Sequence, residues 1–189
     1  MQYAETAARL AQYRKQIAEL RTKMRELQQA AQPQEMPDDE FATAEGKVRL
    51  SELFGEKGYL FVIHNMGAGC RYCTLWADGF NGILPHIENR AAFVVASPDE
   101  PAAQQKFKTA RGWRFRVVSY KDPGFARDMG YRTDEGWLPG VSVFRKQGQN
   151  ICRASDTGFQ PGDDFCAIWH FFDLLPEGAG GWQPQYQYH

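Results

Sequence analysis

Two cysteines separated by two residues stand between a buried-strand pattern and a helix pattern, and this order limits the folds open to the chain. The apolar run at residues 59–63 predicts a central strand, and Cys70-Arg71-Tyr72-Cys73 follows it after a short glycine-containing connection. A helix-compatible segment begins directly after the pair. Because the N-terminus of a helix carries unpaired N–H groups and a partial positive charge, it stabilises a thiolate. The order of elements therefore predicts a reactive thiol at Cys70.

Strand and helix patterns alternate along the rest of the chain. Apolar runs at residues 91–96 and 115–120 predict two more strands, and residues 138–145 and 151–154 predict a closing hairpin joined by Gln147-Gly148-Gln149-Asn150. Apolar residues at helical spacing predict helices over residues 74–87, 98–111 and 163–175. Because strands that alternate with helices form mainly parallel sheets, we predict an α/β fold with a central mixed sheet flanked by helices.

Size and charge exclude several classes of function. The chain has 189 residues, enough for one globular domain with an appendage, and its 22 Lys and Arg residues nearly balance its 23 Asp and Glu residues. No basic field is available for a nucleic acid, so we expect none as a partner. The sequence has neither the apolar stretch of a secretory signal nor a segment that could span a bilayer. We therefore expect a cytoplasmic protein without a membrane partner.

The N-terminal residues favour a helix with one apolar stripe. They contain no Gly or Pro from residue 3 to residue 31, and six apolar residues alternate spacings of three and four, as in the a and d positions of a coiled coil: Leu10, Tyr13, Ile17, Leu20, Met24 and Leu27. This stripe either docks on the chain's own domain or forms a homodimer. We predict a helix at residues 1–31, a linker at 32–40, the main domain at 41–176 and an irregular tail at 177–189.

The chain resembles the thioredoxin-like superfamily in the order of its elements. More narrowly, it resembles a bacterial thioredoxin-like family of unknown function, whose members are predicted dithiol-disulfide oxidoreductases. This resemblance extends over residues 8–176 and includes a match over residues 69–80, whose most specific part runs from Cys70 to Asp78 and contains both cysteines. Residues 50–54, 59–66 and 138–144 also match. The resemblance implies a thioredoxin-like fold and exchange of two electrons through the Cys-X-X-Cys pair.

The two cysteines have different predicted roles. Cys70, at the head of the helix, is the attacking thiol, and the positive charge of Arg71 favours its thiolate. Cys73, one turn further on and more buried, resolves the mixed disulfide. The pair Arg71-Tyr72 replaces the Gly-Pro of thioredoxins, and a Cys-X-Tyr-Cys arrangement is closer to glutaredoxins. The alternative is a pair of structural thiols or half of a metal site.

Three further residues are candidates for supporting roles. The resemblance implies that Leu138-Pro139 is a cis-proline peptide facing the dithiol. His64 ends the strand before the dithiol, where it is either a proton acceptor or positive neighbour for Cys70, or a buried histidine with satisfied hydrogen bonds. Asp78, one turn beyond Cys73, either caps the helix surface or accepts a proton, while Trp76 packs in the core.

The other two cysteines and two further histidines lack a recognisable motif. Cys152 falls on a hairpin strand and Cys166 on the final helix, and both are interpreted as core residues. His86 and His170 are expected to be exposed or capping side chains. No cofactor is implied by any of these patterns.

Four functions follow from these patterns. The first is a dithiol-disulfide oxidoreductase that acts on a disulfide-containing protein or a small-molecule thiol. The second is a metal site using Cys70, Cys73 and His64, although zinc normally requires four ligands in a structural site. The third is a partner-binding module without turnover. A peroxide reductase is the fourth, but the Pro-X-X-X-Thr/Ser-X-X-Cys pattern that resembles peroxiredoxins is absent before Cys70.

Overall fold

The computed structural model describes residues 2–120 and 122–188 and divides into two compact units, with a boundary between Pro33 and Gln34. The first unit consists of one long helix, α1 (Tyr3–Ala30). Its sequence favours this state because it has strong helix formers and no Gly or Pro. None of its residues is buried.

The second unit is built on an eight-stranded sheet. In chain order its strands are β1 (Gln34–Met36), β2 (Glu40–Thr43), β3 (Gly46–Arg49), β4 (Tyr59–His64), β5 (Ala92–Ser97), β6 (Arg116–Ser119), β9 (Gly140–Gln147) and β10 (Asn150–Gly158). A separate two-stranded ribbon consists of β7 (Arg132–Thr133) and β8 (Gly136–Trp137).

The strands of the large sheet lie in the order β1-β10-β9-β4-β5-β6-β2-β3. The three central strands β4, β5 and β6 run parallel, and the other pairs are antiparallel. The mixed sheet and the closing hairpin agree with the predicted fold class.

Helices connect and flank these strands. They are α2 (Leu50–Leu53), α3 (Arg71–Arg90), α4 (Pro101–Arg111), α5 (Gly124–Asp128) and α6 (Ala167–Phe172). The helix after the dithiol, α3, is longer than predicted and includes Pro85. The final helix begins later than predicted, because the Asp163 carboxylate accepts hydrogen bonds from the backbone N–H groups of Gln160 and Phe165 and holds a turn there instead. It also ends earlier, at Phe172.

The alternation of side chains in the central strands divides the core between the two faces of the sheet. Leu60 and Val62 of β4 belong to one cluster of buried side chains, whereas Ile63 belongs to the other. The second cluster packs under α3 through Trp76 and Phe80. Both faces of β4 are therefore covered, as its nearly continuous apolar sequence predicted.

The prediction of a linker over residues 32–40 is wrong for residues 34–36. Gln34–Met36 forms strand β1, which pairs antiparallel with β10, and the side chain of Met36 is buried. Prolines on both sides of β1 suggested a linker, but an edge strand tolerates proline because one of its sides needs no N–H partner. The main domain therefore begins at β1 and not at residue 41.

The C-terminal residues 177–188 form neither helix nor strand, yet part of this segment is packed. Pro184 is fully buried, and the Trp182 ring packs edge-on against Trp169 and Phe172 of α6. Within residues 2–120 and 122–188, no helix combines the length and apolar character that a membrane crossing requires.

Candidate active site

Strand β4 and helix α3 place the two cysteines at one end of the parallel strands. Cys70 occupies the N-cap position of α3 and is partly exposed. Its Sγ accepts a hydrogen bond from the backbone N–H of Cys73 at 3.1 Å, which is the usual task of a capping side chain. Backbone N–H groups in the first turn of a helix have no partner within the helix, and here one of them donates to the sulfur of Cys70.

Cys73 lies one turn into α3 and is only 3% exposed. The backbone N–H of Met66, in the connection after β4, donates a hydrogen bond to its Sγ at 3.5 Å. Both cysteines are free thiols. The structure thus brings together one accessible and one buried sulfur.

The two thiols differ sharply in acidity. A hydrogen bond from the Cys73 side chain lowers the pKa of Cys70 to about 7, with help from the backbone N–H groups of Cys73 and Tyr72, and burial opposes this effect only in part. The same hydrogen bond, together with burial, raises the pKa of Cys73. The negative charge therefore belongs on Cys70. Arg71 is exposed, so the lowering comes from these hydrogen bonds and not from the charge that the sequence suggested.

His64 is placed as a buried histidine with satisfied hydrogen bonds. Its ring is 1% exposed, with Nδ1 at 3.1 Å from the Tyr120 hydroxyl and Nε2 at 2.9 Å from the Ser142 hydroxyl. It stacks on Tyr131 with ring centroids 3.8 Å apart. Burial, and then the nearby charge of Arg153, lower the pKa of His64 to about 3. The ring is neutral at pH 7, so it supplies no positive charge to Cys70.

Asp78 ties α3 to the end of α4. Its carboxylate accepts a hydrogen bond from Trp113 Nε1 at 2.7 Å and forms an ion pair with Arg111. Trp76 is buried as predicted, and its Nε1 donates to Asp163 at 3.3 Å. Asp78 and Trp76 therefore connect α3 to other parts of the domain, and their polar groups bind residues other than the two cysteines.

Tyr72 joins the dithiol to an aromatic cluster. Its ring is partly buried, stacks on Trp169 of α6 and lies at 6.3 Å from the ring of Trp76. This packing holds the first turn of α3 against α6. Arg71, in contrast, extends into solvent.

The prediction that Leu138-Pro139 is a cis peptide is wrong, because no peptide bond within residues 2–120 and 122–188 is cis. Hydrogen bonds on both sides hold this segment in place: Leu138 N–H donates to the Tyr131 carbonyl, and the Pro139 carbonyl accepts from Phe159 N–H, both at 2.9 Å. Nothing in this arrangement offsets the ordinary preference of an X-Pro bond for trans. The Pro139 carbonyl is also already paired within the chain.

The connection before Cys70 is held by a residue that the sequence analysis did not identify. Asp99, just after β5, accepts hydrogen bonds from Ala68 N–H at 2.8 Å and from the Ser97 hydroxyl at 3.2 Å. Gly67 has φ +104°, and a side chain there would lie 2.8 Å from the Asp99 carboxylate. Because β4 and β5 are parallel, their ends meet at the same edge of the sheet, and this rule could have found Asp99.

A second overlooked residue comes from the C-terminal segment. The Tyr186 hydroxyl donates to the Ala68 carbonyl at 2.9 Å, and Arg111 Nη1 donates to the Tyr186 carbonyl at 2.6 Å. The first of these hydrogen bonds places the Tyr186 hydroxyl at Ala68, two residues from Cys70 in the chain. Burial, and then the nearby Cys70, raise the pKa of Tyr186. No periodicity marks this segment, so no local pattern could have found the contact.

The remaining cysteines lie in the core. Cys152 on β10 and Cys166 at the start of α6 are both buried and free. Among the residues that the structure describes, no group of three or more His, Cys, Asp or Glu side chains could hold a metal ion. His64 in particular is already bonded at both ring nitrogens.

Comparison with known proteins identifies a family and a fold. The family model described as "Bacterial protein of unknown function (DUF899)" matches residues 3–188. A search of curated proteins gives no match.

Several peroxiredoxins of known structure have a similar fold. Peroxiredoxin Q of Xanthomonas campestris matches with a TM-score of 0.57 at 18% identity, over 66% of this chain and 85% of that chain. Peroxidoxin BcpB of Mycobacterium tuberculosis matches with a TM-score of 0.54 at 21% identity, over 71% and 88%. A peroxiredoxin-like protein of Aquifex aeolicus matches with a TM-score of 0.55 at 19% identity, over 67% and 74%. At such identities the similarity shows the thioredoxin-like fold.

Proposed function

Since the chain belongs to the DUF899 family of bacterial proteins, whose function is unknown, we propose a function from its own dithiol: it is a dithiol-disulfide oxidoreductase that exchanges two electrons through Cys70 and Cys73. The observation that carries this proposal is the asymmetry of the pair. Cys70 is accessible and has a pKa of about 7, while Cys73 is buried with a raised pKa. An attacking thiol with a pKa near ambient pH combines a large thiolate fraction with good nucleophilicity.

The reaction proceeds in two exchanges. The Cys70 thiolate attacks one sulfur of a substrate disulfide, forms a mixed disulfide and releases the other substrate sulfur as a thiolate, which takes up a proton. Cys73 then loses its proton and attacks the Cys70 sulfur, which forms the Cys70–Cys73 disulfide and releases the second substrate thiol. The substrate gains two electrons and two protons, and the protein loses them. The reverse sequence oxidises a substrate dithiol.

The substrate class that fits this site is a disulfide-containing protein or a small-molecule thiol and its disulfide. We assign this exchange to the reducing cytoplasm, where a Cys-X-X-Cys pair is catalytic or metal-binding and not a structural bridge. The metal alternative and the non-catalytic partner-binding alternative predict no reversible disulfide at this pair.

A redox titration tests the proposal directly. The full chain carrying Cys152→Ala and Cys166→Ala is equilibrated in glutathione buffers, and its free thiols are counted by the mass shift on alkylation. We expect one cooperative two-thiol transition, at a potential between about -270 and about -120 mV, the range of known disulfide exchangers. The matched control adds Cys73→Ser and should lose the cooperative transition. Absence of a two-thiol transition in the parent would refute the proposal.

The second candidate is a thiol peroxidase, which the peroxiredoxins among the structural neighbours favour. In that reaction the Cys70 thiolate attacks a peroxide oxygen and breaks the O–O bond, which leaves Cys70 sulfenic acid and an alkoxide or hydroxide that takes up a proton from solvent to give an alcohol or water. The Cys73 thiol then condenses with the sulfenic acid to give the disulfide and water. We rank it second because residues 65–70 contain neither proline nor threonine. Stopped-flow kinetics with hydrogen peroxide and glutathione disulfide show which oxidant reacts faster with Cys70.

A further inference from the structure

Helix α1 leaves a complete row of apolar side chains exposed. Each residue of the row is between 44% and 73% exposed. In order they are Leu10, Tyr13, Ile17, Leu20, Met24 and Leu27. Large apolar side chains at regular a and d spacing form a surface that pairs with another helix. We call this row the α1 seam.

The α1 seam is narrow. It contains two residues per heptad, and the positions beside it hold basic residues, glutamine and alanine, with no further large apolar residue. A helix that lies in a lipid interface has a broad apolar face opposite a strongly polar one, whereas a stripe of a and d positions alone is typical of a coiled coil. The width of the seam therefore favours a helix as its partner over a lipid surface.

The positions that flank the seam carry positive charge on both sides. With Leu10 at a and Tyr13 at d, the g positions include Arg9 and Lys23, and the e positions include Arg14 and Arg21. The other flanking positions near the seam hold neutral residues. All three acidic residues of the helix, Glu5, Glu19 and Glu26, fall at c positions away from the seam.

These flanks oppose pairing with a second copy. In a parallel dimer, Arg9 of one helix faces Arg14 of the other, and no flanking pair joins opposite charges. In an antiparallel dimer, e positions face e positions and g positions face g positions, so Arg14 meets Arg21 and the other basic residues meet neutral ones. Like charges at these positions repel each other and so disfavour particular partners. A homodimer would be stabilised by packing of the seam residues but destabilised by repulsion between the basic residues that flank them.

We propose that the α1 seam docks a helix of another protein, one with apolar a and d residues flanked by glutamate or aspartate. This inference is independent of the dithiol. Opposite charges at e and g positions fix both the partner and its orientation. Apolar spacing alone leaves docking on the chain's own domain and a homodimer equally open. The flanking charges add information that the spacing does not contain, and they favour a heterotypic pair.

Charge reversal in the full chain tests the proposal without knowledge of the natural partner. A variant with Arg9→Glu, Arg14→Glu, Arg21→Glu and Lys23→Glu supplies the acidic flanks on the same apolar seam. Under reducing conditions and at low salt, sedimentation velocity should give monomers for the parent and for the variant alone. An equimolar mixture should give a one-to-one complex. The complex should weaken as ionic strength rises from about 0.01 M to about 1 M, because the Debye length falls from about 30 Å to about 3 Å.

Two controls separate seam docking from general charge attraction. The first reverses charges off the seam, at Lys15 and Arg25, and its mixture with the parent should remain monomeric. The second adds Ile17→Ser and Leu20→Ser to the four-residue variant and should abolish the complex. Circular dichroism of each full chain checks that the helix content is retained.

Three results would overturn the proposal. The first is a parent chain that dimerises at low salt and loses the dimer on Ile17→Ser and Leu20→Ser, since the partner is then a second copy. The second is a mixture of parent and four-residue variant that stays monomeric. The third is a parent chain that sediments with vesicles of phosphatidylcholine and phosphatidylserine while the mixture stays monomeric, which would assign the seam to an anionic membrane.

Discussion

Cys70 and Cys166 both occupy the N-cap position of a helix, yet their acidities shift in opposite directions. The pKa of Cys70 is lowered to about 7, whereas burial raises the pKa of Cys166. Cys70 receives hydrogen bonds from the Cys73 side chain and from two backbone N–H groups, and it remains partly exposed. Cys166 is 6% exposed within an aromatic cluster. A helix start alone therefore does not activate a thiol, because burial and hydrogen bonding decide the result.

The largest expected effect contrasts Cys73 with Cys166. Cys73→Ser removes the resolving thiol, so turnover with glutathione disulfide should be abolished and a Cys70–glutathione mixed disulfide should accumulate. Cys166→Ser should leave turnover unchanged, because its thiol takes no part in the exchange. Intact-protein mass spectrometry detects the trapped adduct. Full turnover by Cys73→Ser would place the resolving thiol elsewhere.

A second experiment removes the hydrogen bond from the Cys73 side chain, which is the main reason why the pKa of Cys70 is lowered, in contrast to the raised pKa of Cys166. Cys73→Ala removes the side-chain donor to Cys70, and a hydrogen bond to a charged group contributes about 1.5 to 3 kcal/mol. The pKa of Cys70 should therefore rise by about 1 to 2 units. Cys73→Ser keeps a hydroxyl donor and should give a smaller rise. The pH dependence of iodoacetamide alkylation measures both, and equal pKa values in the parent and in Cys73→Ala would contradict this explanation.

The burial of His64 also predicts how the free energy of unfolding changes at acidic pH. Its pKa is about 3 in the folded chain against an ordinary value of about 6.5 in the unfolded chain, so the unfolded chain binds the proton first as pH falls. The free energy of unfolding should thus be unaffected by this group above about pH 6.5. Below that it should decrease by up to about 1.4 kcal/mol per pH unit towards about pH 3.

Urea denaturation at successive pH values measures this slope. His64→Gln should flatten it, while His86→Gln, at an exposed position of α3, should preserve it. An unchanged slope in His64→Gln would assign the acid sensitivity to carboxylates.

The smallest expected effect concerns the support of the connection before Cys70. Tyr186→Phe removes the hydroxyl that bonds the Ala68 carbonyl, and should lower the free energy of unfolding by about 1 kcal/mol. Tyr13→Phe, at an exposed position of α1, is the control and should have no effect. Urea denaturation of the full chain compares the two. Equal stability of Tyr186→Phe and the parent would show that the segment is not held by this bond.

Local patterns were sufficient to predict the dithiol and the sheet beneath it. The apolar run of β4, the cysteine pair and the start of α3 are consecutive in the chain, so the sequence alone places Cys70 at a helix N-terminus. Burial of Cys73 follows from its position one turn further on. These features depend on neighbours within a few residues, which periodicity describes well.

Contacts between distant residues could not be predicted in the same way. Tyr186 reaches Ala68 across 118 positions, and the surroundings of His64 come from Tyr120 and Ser142 on other parts of the chain. Each of these details requires the tertiary arrangement, which one sequence pattern does not specify.

The most direct test of the account is the pH dependence of alkylation at each cysteine of the native full chain, followed by peptide mass spectrometry. We predict a single inflection near pH 7 for Cys70, and negligible labelling of Cys152 and Cys166 until the chain is unfolded. A Cys70 rate that keeps rising beyond about pH 8.5, the ordinary pKa of a free thiol, or labelling of Cys166 as fast as that of Cys70, would contradict the claim that hydrogen bonds within the dithiol activate Cys70.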